Sequence, residues 1–590
     1  MSAGPDLKSL IAYGYFPKEL PSPFRTVSLA RVLESLPTDL GNDRTQPTRF
    51  NLARAGGFRR PLAIPNPRSQ ISVARLVADH WSEFSAHYAK SAVSLTRPVP
   101  ETAPRPGKRA IHSRHDFDER PQVRADRMSC ARYTLYGDVS QCYSSIYTHS
   151  IEWALDGKEA SKSRLKTRGP TRSLGALLDM AVQHGQWGQT KGIPIGPDTS
   201  HAIAELILCA IDAEIQAHHP DLGDFALRFM DDLEVFAKSR QQADAILLAW
   251  ESELAQYELE INPLKTRILE RPRGVDSEWR RQIEQFRFDT STDADLADQV
   301  RLYFGLVFEL AERFPHESVV AYSISRCSRG NTFGDESWKA FVQLLLPAAI
   351  AEPSALKVIS FALEAGRRAG RAIPEEALAR TLNDVILHHA PLAHGSEVTW
   401  ALWILATGPT SLDLEAANVV AAMTDNTARV VLLYLSQLGR IDGDPDLSSL
   451  EAATQEDDSL VGPNWLLAYE SARKGWHSDA IVKADRYFAA LLDAGVSFFE
   501  PPVARRPPRR DTKSATDAEE EKGADGEVIP EPALGNEREV RPDDAGSLEQ
   551  ITVPRTQRQP GEPDDSADIE EPDLEEYVTF EDLEEDGGYQ

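Results

Sequence analysis

The 590-residue chain has little sulfur, with only 4 Cys and 5 Met. Its thiols, Cys130, Cys142, Cys209 and Cys327, form no CxxC pair and no zinc-ligand spacing. That excludes a disulfide scaffold and a zinc ribbon, and leads us to expect a reduced, cytoplasmic protein. Long apolar runs are also missing. The longest, residues 340–351, contains Gln343 and Pro347 and is too short to cross a bilayer. The opening MSAGPDLKSLIAYGYF lacks a basic stretch followed by an apolar core, so neither a signal peptide nor a membrane anchor is expected. Basic residues are outnumbered, 64 Lys+Arg against 92 Asp+Glu, a net charge of −28. Alone, that would exclude a nucleic-acid partner. The excess is local, however. Residues 511–590 hold 27 acids and 6 bases, so residues 1–510 carry only −7. Residues 41–130 are basic, with 16 Lys/Arg against 8 Asp/Glu.

Composition divides the chain into four parts. Residues 1–40 are a lead segment whose Pro cluster, FPKELPSPF, predicts partly extended chain. Residues 41–285 mix strand-like and helical runs. Residues 286–500 read as helix after helix, with apolar positions at helical spacing, such as Val300, Tyr303, Phe304, Val307 and Leu310. Helix pairs starting near 298, 337, 375, 413 and 463 give a loose period of about 40, the length of a HEAT-like pair. An irregular bundle is the alternative. Residues 501–590 open with PPVARRPPRRD and continue acidic and Pro-containing. They bury too little apolar surface to offset ordering entropy, so a disordered tail is expected.

The chemistry concentrates in three segments of the second part. Tyr133 to Val139 is β-branched and aromatic enough for a strand, with Asp138 near its end. The stretch Gly192-Ile-Pro194-Ile-Gly196 is a turn leading into an amphipathic helix, where Asp198, Thr199 and Ser200 offer N-caps. Phe225 to Ala237 reads as a hairpin with Asp231 and Asp232 at its turn. Adjacent carboxylates on a tight turn repel, and the arrangement becomes sensible around a divalent cation. A third carboxylate from another strand completes a two-metal site, with ions about 3.5–4 Å apart, suited to displacement at phosphorus. Clustered bases supply phosphate contacts. Arg60 belongs to a first group that also includes Arg109, Arg120, Arg124 and Arg127. Lys162, Lys166 and Arg168 belong to a second, which also includes Lys158, Arg164 and Arg172.

The order strand-Asp, glycine turn into helix, Asp-Asp hairpin and then Lys265 is that of a polymerase palm. Residues about 55–270 resemble prokaryotic reverse transcriptases. Phe229-Met230-Asp231-Asp232 resembles the family's Tyr-x-Asp-Asp box, with Phe for Tyr. Gly-Ile-Pro-Ile-Gly resembles its Gly-x-Pro-Gln-Gly motif, with Ile195 for Gln. The resemblance implies catalysis by Asp138, Asp231 and Asp232, which hold two Mg²⁺ ions, or Mn²⁺, together with the Val139 backbone carbonyl. It implies an aromatic steric gate at Tyr143, and incoming-nucleotide and template contacts at Gly192, Pro194 and Gly196. It places Lys265 on the pyrophosphate side. The segment RRPLAIPNP, residues 59–67, resembles the family's fingers, which implies triphosphate contacts from Arg59 and Arg68.

The implied fold is α+β, a right-hand fingers and palm followed by an all-α region. The implied substrates are dNTPs, an RNA template and a DNA product. The fused helical region and the phrase YTHSIEWA, 147–154, resemble the abortive-infection and other defence-associated reverse transcriptases of bacteria. Those imply antiphage defence and, as partners, a non-coding RNA, a second reverse transcriptase or a second copy of this chain. Template-independent or protein-primed synthesis by the same site stays open. So does an inert RNA-binding scaffold of this fold. An RNA-dependent RNA polymerase is disfavoured, because it typically has an Asp where Tyr143 stands.

Overall fold

A computed structural model describes residues 4–37, 44–105, 107–115, 119–167, 172–270, 277–288 and 291–502. Arg168 and the acidic tail beyond 502 lie outside the described residues. Strands β1 (Thr48–Ala53) and β2 (Arg59–Ile64) form an antiparallel hairpin whose turn passes Gly56 and Gly57, both at positive φ. Short strands β3 (Pro98–Pro100) and β4 (Ile111–Ser113) pair antiparallel. The central sheet contains β5 (Tyr133–Asp138), β6 (Ala226–Phe229), β7 (Asp232–Ala237) and β8 (Arg267–Glu270). Its strands are antiparallel and run in the order β6-β7-β5-β8.

The helix Arg240–Gln256 covers β5 and β7. Its Trp250 is buried against Gly137, where a Cβ would stand 2.4 Å from the indole ring. Glycine is therefore required one residue before Asp138, because the ring takes the space of a side chain. The helix Asp198–His218 runs behind the sheet. Its burial is nearly complete over the first fifteen residues, consistent with apolar positions on more than one face.

The helical region is built in two layers. Helices Asp293–Arg313, Asp335–Ala351, Glu375–His389 and Leu414–Ala421 stack on one another in sequence. Helices Val319–Gly330, Leu356–Arg368, Gly395–Thr407, Asn426–Gln437 and Trp465–Lys474 stack beside them as the second layer. Each repeat buries a face it could not bury alone, so the pairs stack as a solenoid does. The second layer reaches the β1–β2 hairpin: Gly395–Thr407 and Asn426–Gln437 pack on β1. One apolar cluster runs from Leu10 to Phe499, so among the described residues the helical region and the fingers share a core.

The lead segment contains two helices that were not expected, one on each side of its Pro cluster. Asp6 caps a helix, Leu7–Tyr13, by accepting from Ser9 N at 2.7 Å. A second helix follows at Val27–Val32. Leu10, Ile11 and Tyr15 are buried, and Phe24 pairs with Phe499. A seven-residue helix spans barely two turns, too short for apolar periodicity to register beside a Pro cluster. The helix beginning at Asp198 also departs from expectation. Its N-cap is Pro197, and no side chain caps it. The Asp198 carboxylate instead accepts from Arg109 Nε at 2.6 Å and from Ile111 N at 3.0 Å.

Candidate active site

Register brings the carboxylates together. Asp138, the last residue of β5, lies opposite Asp232, the first of β7. Asp232 pairs with Phe229 of β6, so the hairpin turn is Met230-Asp231. The Asp231 carbonyl accepts from Val139 N at 3.2 Å, which ties the turn to the end of β5. Met230 adopts φ 53, a left-handed conformation unfavourable for a side chain with a Cβ. Two groups hold it there. Met230 N–H donates to Thr96 Oγ1 at 2.9 Å, and the Met230 carbonyl accepts from Arg228 Nη1 at 2.7 Å. Thr96 in turn donates to Glu205 at 2.6 Å.

Arg228 is the centre of a buried polar network that sequence reasoning missed. It is fully enclosed and donates to Glu205 at 2.9 and 3.0 Å and to Asp212 at 2.8, 3.0 and 3.1 Å. Ser94 and Ser91 complete the two carboxylates at 3.0 and 2.6 Å. Burial alone would raise Glu205, but Arg228 overrides it and holds the carboxyl down at about 2. A signal was available: Glu205 and Asp212 are seven residues apart, hence on one face, and they are the charged residues of an otherwise apolar run, 202–212.

The three aspartates are electrostatically crowded. Burial and then Asp138 push the Asp231 carboxyl up. Burial and then Asp231 push Asp232 up to about 7, with Arg120 opposing. Lys265 donates to Asp138 Oδ2 at 2.9 Å and so offsets part of the charge. A hard-oxygen donor set that stays costly as anions suits Mg²⁺, which supplies the missing positive charge.

Because burial and Asp231 push Asp232 up to about 7, any Mg²⁺ held by the aspartates should bind more tightly as pH rises through that value. We expect the half-saturating Mg²⁺ concentration to fall by about tenfold between pH 6 and pH 8, measured at fixed ionic strength. A flat profile would mean Asp232 is already ionised without metal.

A cavity of about 640 Å³ opens over Asp138, Asp231 and Lys265, while Asp232 is not in its wall. Asp138, Val139, Tyr143, Gly196, Asp231, Arg59, Arg60 and Lys265 line it, joined by Arg54, His201 and Asn262. Gly192 and Pro194 are not in its wall. Gly192, at φ 85, donates to the Ile146 carbonyl at 2.7 Å and anchors the turn. At Gly196, φ 132, a Cβ would meet Pro17 at 2.6 Å. The lead segment therefore packs on the glycine turn, and Arg109 fastens the two by donating to the carbonyls of Phe16 and Gly196 at 2.6 and 2.8 Å.

Arg54, unnoticed in the sequence, faces the three aspartates. Burial and then Arg60 lower its guanidinium to about 10, and the carboxylates oppose the shift.

Several expected phosphate contacts are otherwise engaged. Arg68 is buried on Asp485 and over the rings of Tyr487 and Phe488, away from the cavity. It fastens the helix Pro67–Asp79 to the end of the helical region. Arg59 lines the cavity but is held by Glu397, with Nη2–Oε2 at 2.9 Å. Arg120 and Arg124 close on Glu234, and Arg127 on the Ala226 carbonyl. Arg164 pairs with Asp156 at 2.7 Å. Lys162 is exposed beside Glu159 on the helix Lys158–Thr167, whose last turn carries Lys166. Spacing cannot distinguish a basic residue that meets phosphate from one that meets a buried carboxylate.

Among the described residues, no helix is long and apolar enough to cross a membrane. No curated protein matches the chain. The structure of apo telomerase from Candida tropicalis is similar at 11% identity over 71% of each chain, with a TM-score of 0.29, too low to carry an argument. Residues 90–288 match the family model described as reverse transcriptase (RNA-dependent DNA polymerase). That segment, which holds all three aspartates and Lys265, is similar to reverse transcriptase domains.

Proposed function

We propose that the chain adds dNTPs to a 3′-hydroxyl on an RNA template, with two Mg²⁺ ions held by Asp138, Asp231 and Asp232 and the Val139 carbonyl. The observation that carries this reading is Asp138 and Asp231 lining one cavity with Arg54, Arg60 and Lys265, while Asp232 stands opposite Asp138 in the sheet register. When bound, the ions would activate the 3′-hydroxyl and neutralise the leaving pyrophosphate. The protein's own groups do the rest. Arg54 and Arg60 offer positive charge to a triphosphate, and Lys265 offers it on the leaving side. The Arg228 network keeps the Met230-Asp231 turn in one conformation, so the carboxylates need not reorganise.

The test is extension of a labelled primer on RNA and DNA templates by the purified full chain, with Mg²⁺ or Mn²⁺. Absence of incorporation with every template and primer would reject polymerase activity and promote the inert scaffold. Sequencing nucleic acid that copurifies would identify the template, and a covalent nucleotide–peptide adduct would reveal protein priming. Resemblance to the abortive-infection enzymes and the fused helical stack support a role in bacterial antiphage defence. Its partner there would be a non-coding RNA, a second reverse transcriptase or a second copy of the chain.

Sugar choice is a separate expectation. Tyr143 lines the cavity, and its ring would collide with a ribose 2′-hydroxyl. Tyr143→Ala should lower the dNTP-to-rNTP ratio of kcat/KM by about 10- to 100-fold, since discrimination resides in that ratio. An unchanged ratio would place the gate elsewhere.

A further inference from the structure

Away from the aspartates, three side chains with metal-ligating atoms meet where the helical stack touches the β1–β2 hairpin. His389 ends the helix Glu375–His389, His394 is the N-cap residue of Gly395–Thr407, and Glu397 lies in the first turn of that helix. The chain reverses between them through Ala393 at φ 56. The two Nδ1 atoms are 2.9 Å apart, and they stand 3.7 and 3.6 Å from Glu397 Oε1. Tetrahedral coordination with zinc bonds of about 2.0–2.1 Å places neighbouring donor atoms about 3.3–3.4 Å apart. The three observed separations bracket that spacing. Two imidazoles that share a hydrogen bond through Nδ1 also require that one presents a lone pair, the form that ligates metal.

The carboxylate is held as metal-bound carboxylates are. Glu397 is buried, and its Oε2 accepts from Arg59 Nη2 and Ser396 Oγ, both at 2.9 Å. Oε1 faces the imidazoles and also meets Arg59 Nη1. A groove of about 680 Å³, bordered by Gly56 and Gly57 of the hairpin turn, opens onto all three residues and leaves room for a fourth ligand.

We propose that His389, His394 and Glu397 form a zinc site with one open coordination position. Imidazole nitrogen selects Zn²⁺ over the hard cations that suit three carboxylates, so the two sites differ in metal preference. An ion on Oε1 would displace Arg59 Nη1 and leave Nη2 on Oε2, an outer-shell hydrogen bond of the usual kind. Arg59 lines the catalytic cavity, so the metal would brace the cavity wall against the helical stack. This inference rests on side-chain geometry and is independent of the reaction proposed above.

The experiment uses the full chain, freed of any affinity tag and stripped of metal, then titrated with Zn²⁺ and desalted for elemental analysis. We expect one Zn²⁺ per chain, a melting temperature raised by a few degrees, and Co²⁺ giving the visible absorption of four-coordinate cobalt. His389→Ala/His394→Ala should weaken uptake by at least 10- to 100-fold. Asp231→Asn/Asp232→Asn should retain it. If the double His variant fails to fold, His394→Gln, checked by circular dichroism, serves in its place. No stoichiometric uptake at micromolar Zn²⁺ would overturn the proposal. So would wild-type uptake by a folded His variant, or loss of uptake in the aspartate variant.

Discussion

Asp231→Asn/Asp232→Asn is expected to lower nucleotide incorporation by on the order of 10³-fold or more, while the protein remains folded. Asn keeps the shape and the acceptor oxygen but removes the charge that would hold metal. The stability effect has the opposite sign. A carboxyl whose folded value is raised favours the neutral form. Without metal, Asp232 therefore costs nothing at acid pH and destabilises progressively as pH climbs from about 4 to about 7. Asn abolishes that cost, so the variant should melt higher than the parent at pH 8 without Mg²⁺. The gain should be about 1–2 kcal/mol, because the Asp232 side chain keeps a third of its surface in water, which screens it. At pH 4 the two should melt together. Full incorporation by the variant would remove the catalytic role. A variant less stable than the parent at pH 8 would mean that the aspartates are paired more fully than their environment indicates.

Arg228→Met should produce the largest loss of stability. The side chain is enclosed and serves two buried carboxylates at once. Methionine fills similar volume but leaves Glu205 and Asp212 without a cation. Removing one member of a buried ion network costs about 3–5 kcal/mol, and the melting temperature should fall by roughly 5–10 °C at pH 7. The pH dependence follows from Glu205. Its folded value is depressed to about 2, so the network's stabilisation is present above about pH 4 and fades as pH falls toward 2. Parent and variant should therefore converge in acid.

Activity should fall too, because the Met230 carbonyl loses its donor and the turn that carries Asp231 loosens. Arg228→Met combined with Glu205→Gln and Asp212→Asn should recover most of the stability, since no charge is then left buried alone. A single substitution costing under about 1 kcal/mol would show that water enters the network.

Local chemistry was legible where one short segment contains its own cause. Strand β5 with its terminal Asp, the apolar strands around Met230-Asp231, the glycine turn and the long helix after it all depend on neighbours in sequence. The helix-pair period of about 40 was readable too, because each repeat restates the same amphipathic pattern. The Gly137 requirement was not, since the ring that fills its side-chain space comes from Trp250, more than a hundred residues later.

Charge shows the same divide. Composition located the basic residues of the first part, but only the tertiary structure decided their partners. Arg68 went to Asp485, Arg120 and Arg124 to Glu234, Arg109 to Asp198, and Arg54 to the cavity that Asp138 and Asp231 line. A guanidinium satisfies carboxylate or phosphate with the same geometry, and which one it meets depends on contacts 89 to 417 residues apart. The sequence by itself determined the three aspartates, their strand ends and the chemistry their crowding implies. The fold decided what holds them in place: a lead segment packed on the glycine turn, a buried Arg228 network behind the hairpin, and a helical stack that shares its core with the fingers. Those are long-range burials, and no local pattern encodes them because the energy lies in the pairing and not in either partner.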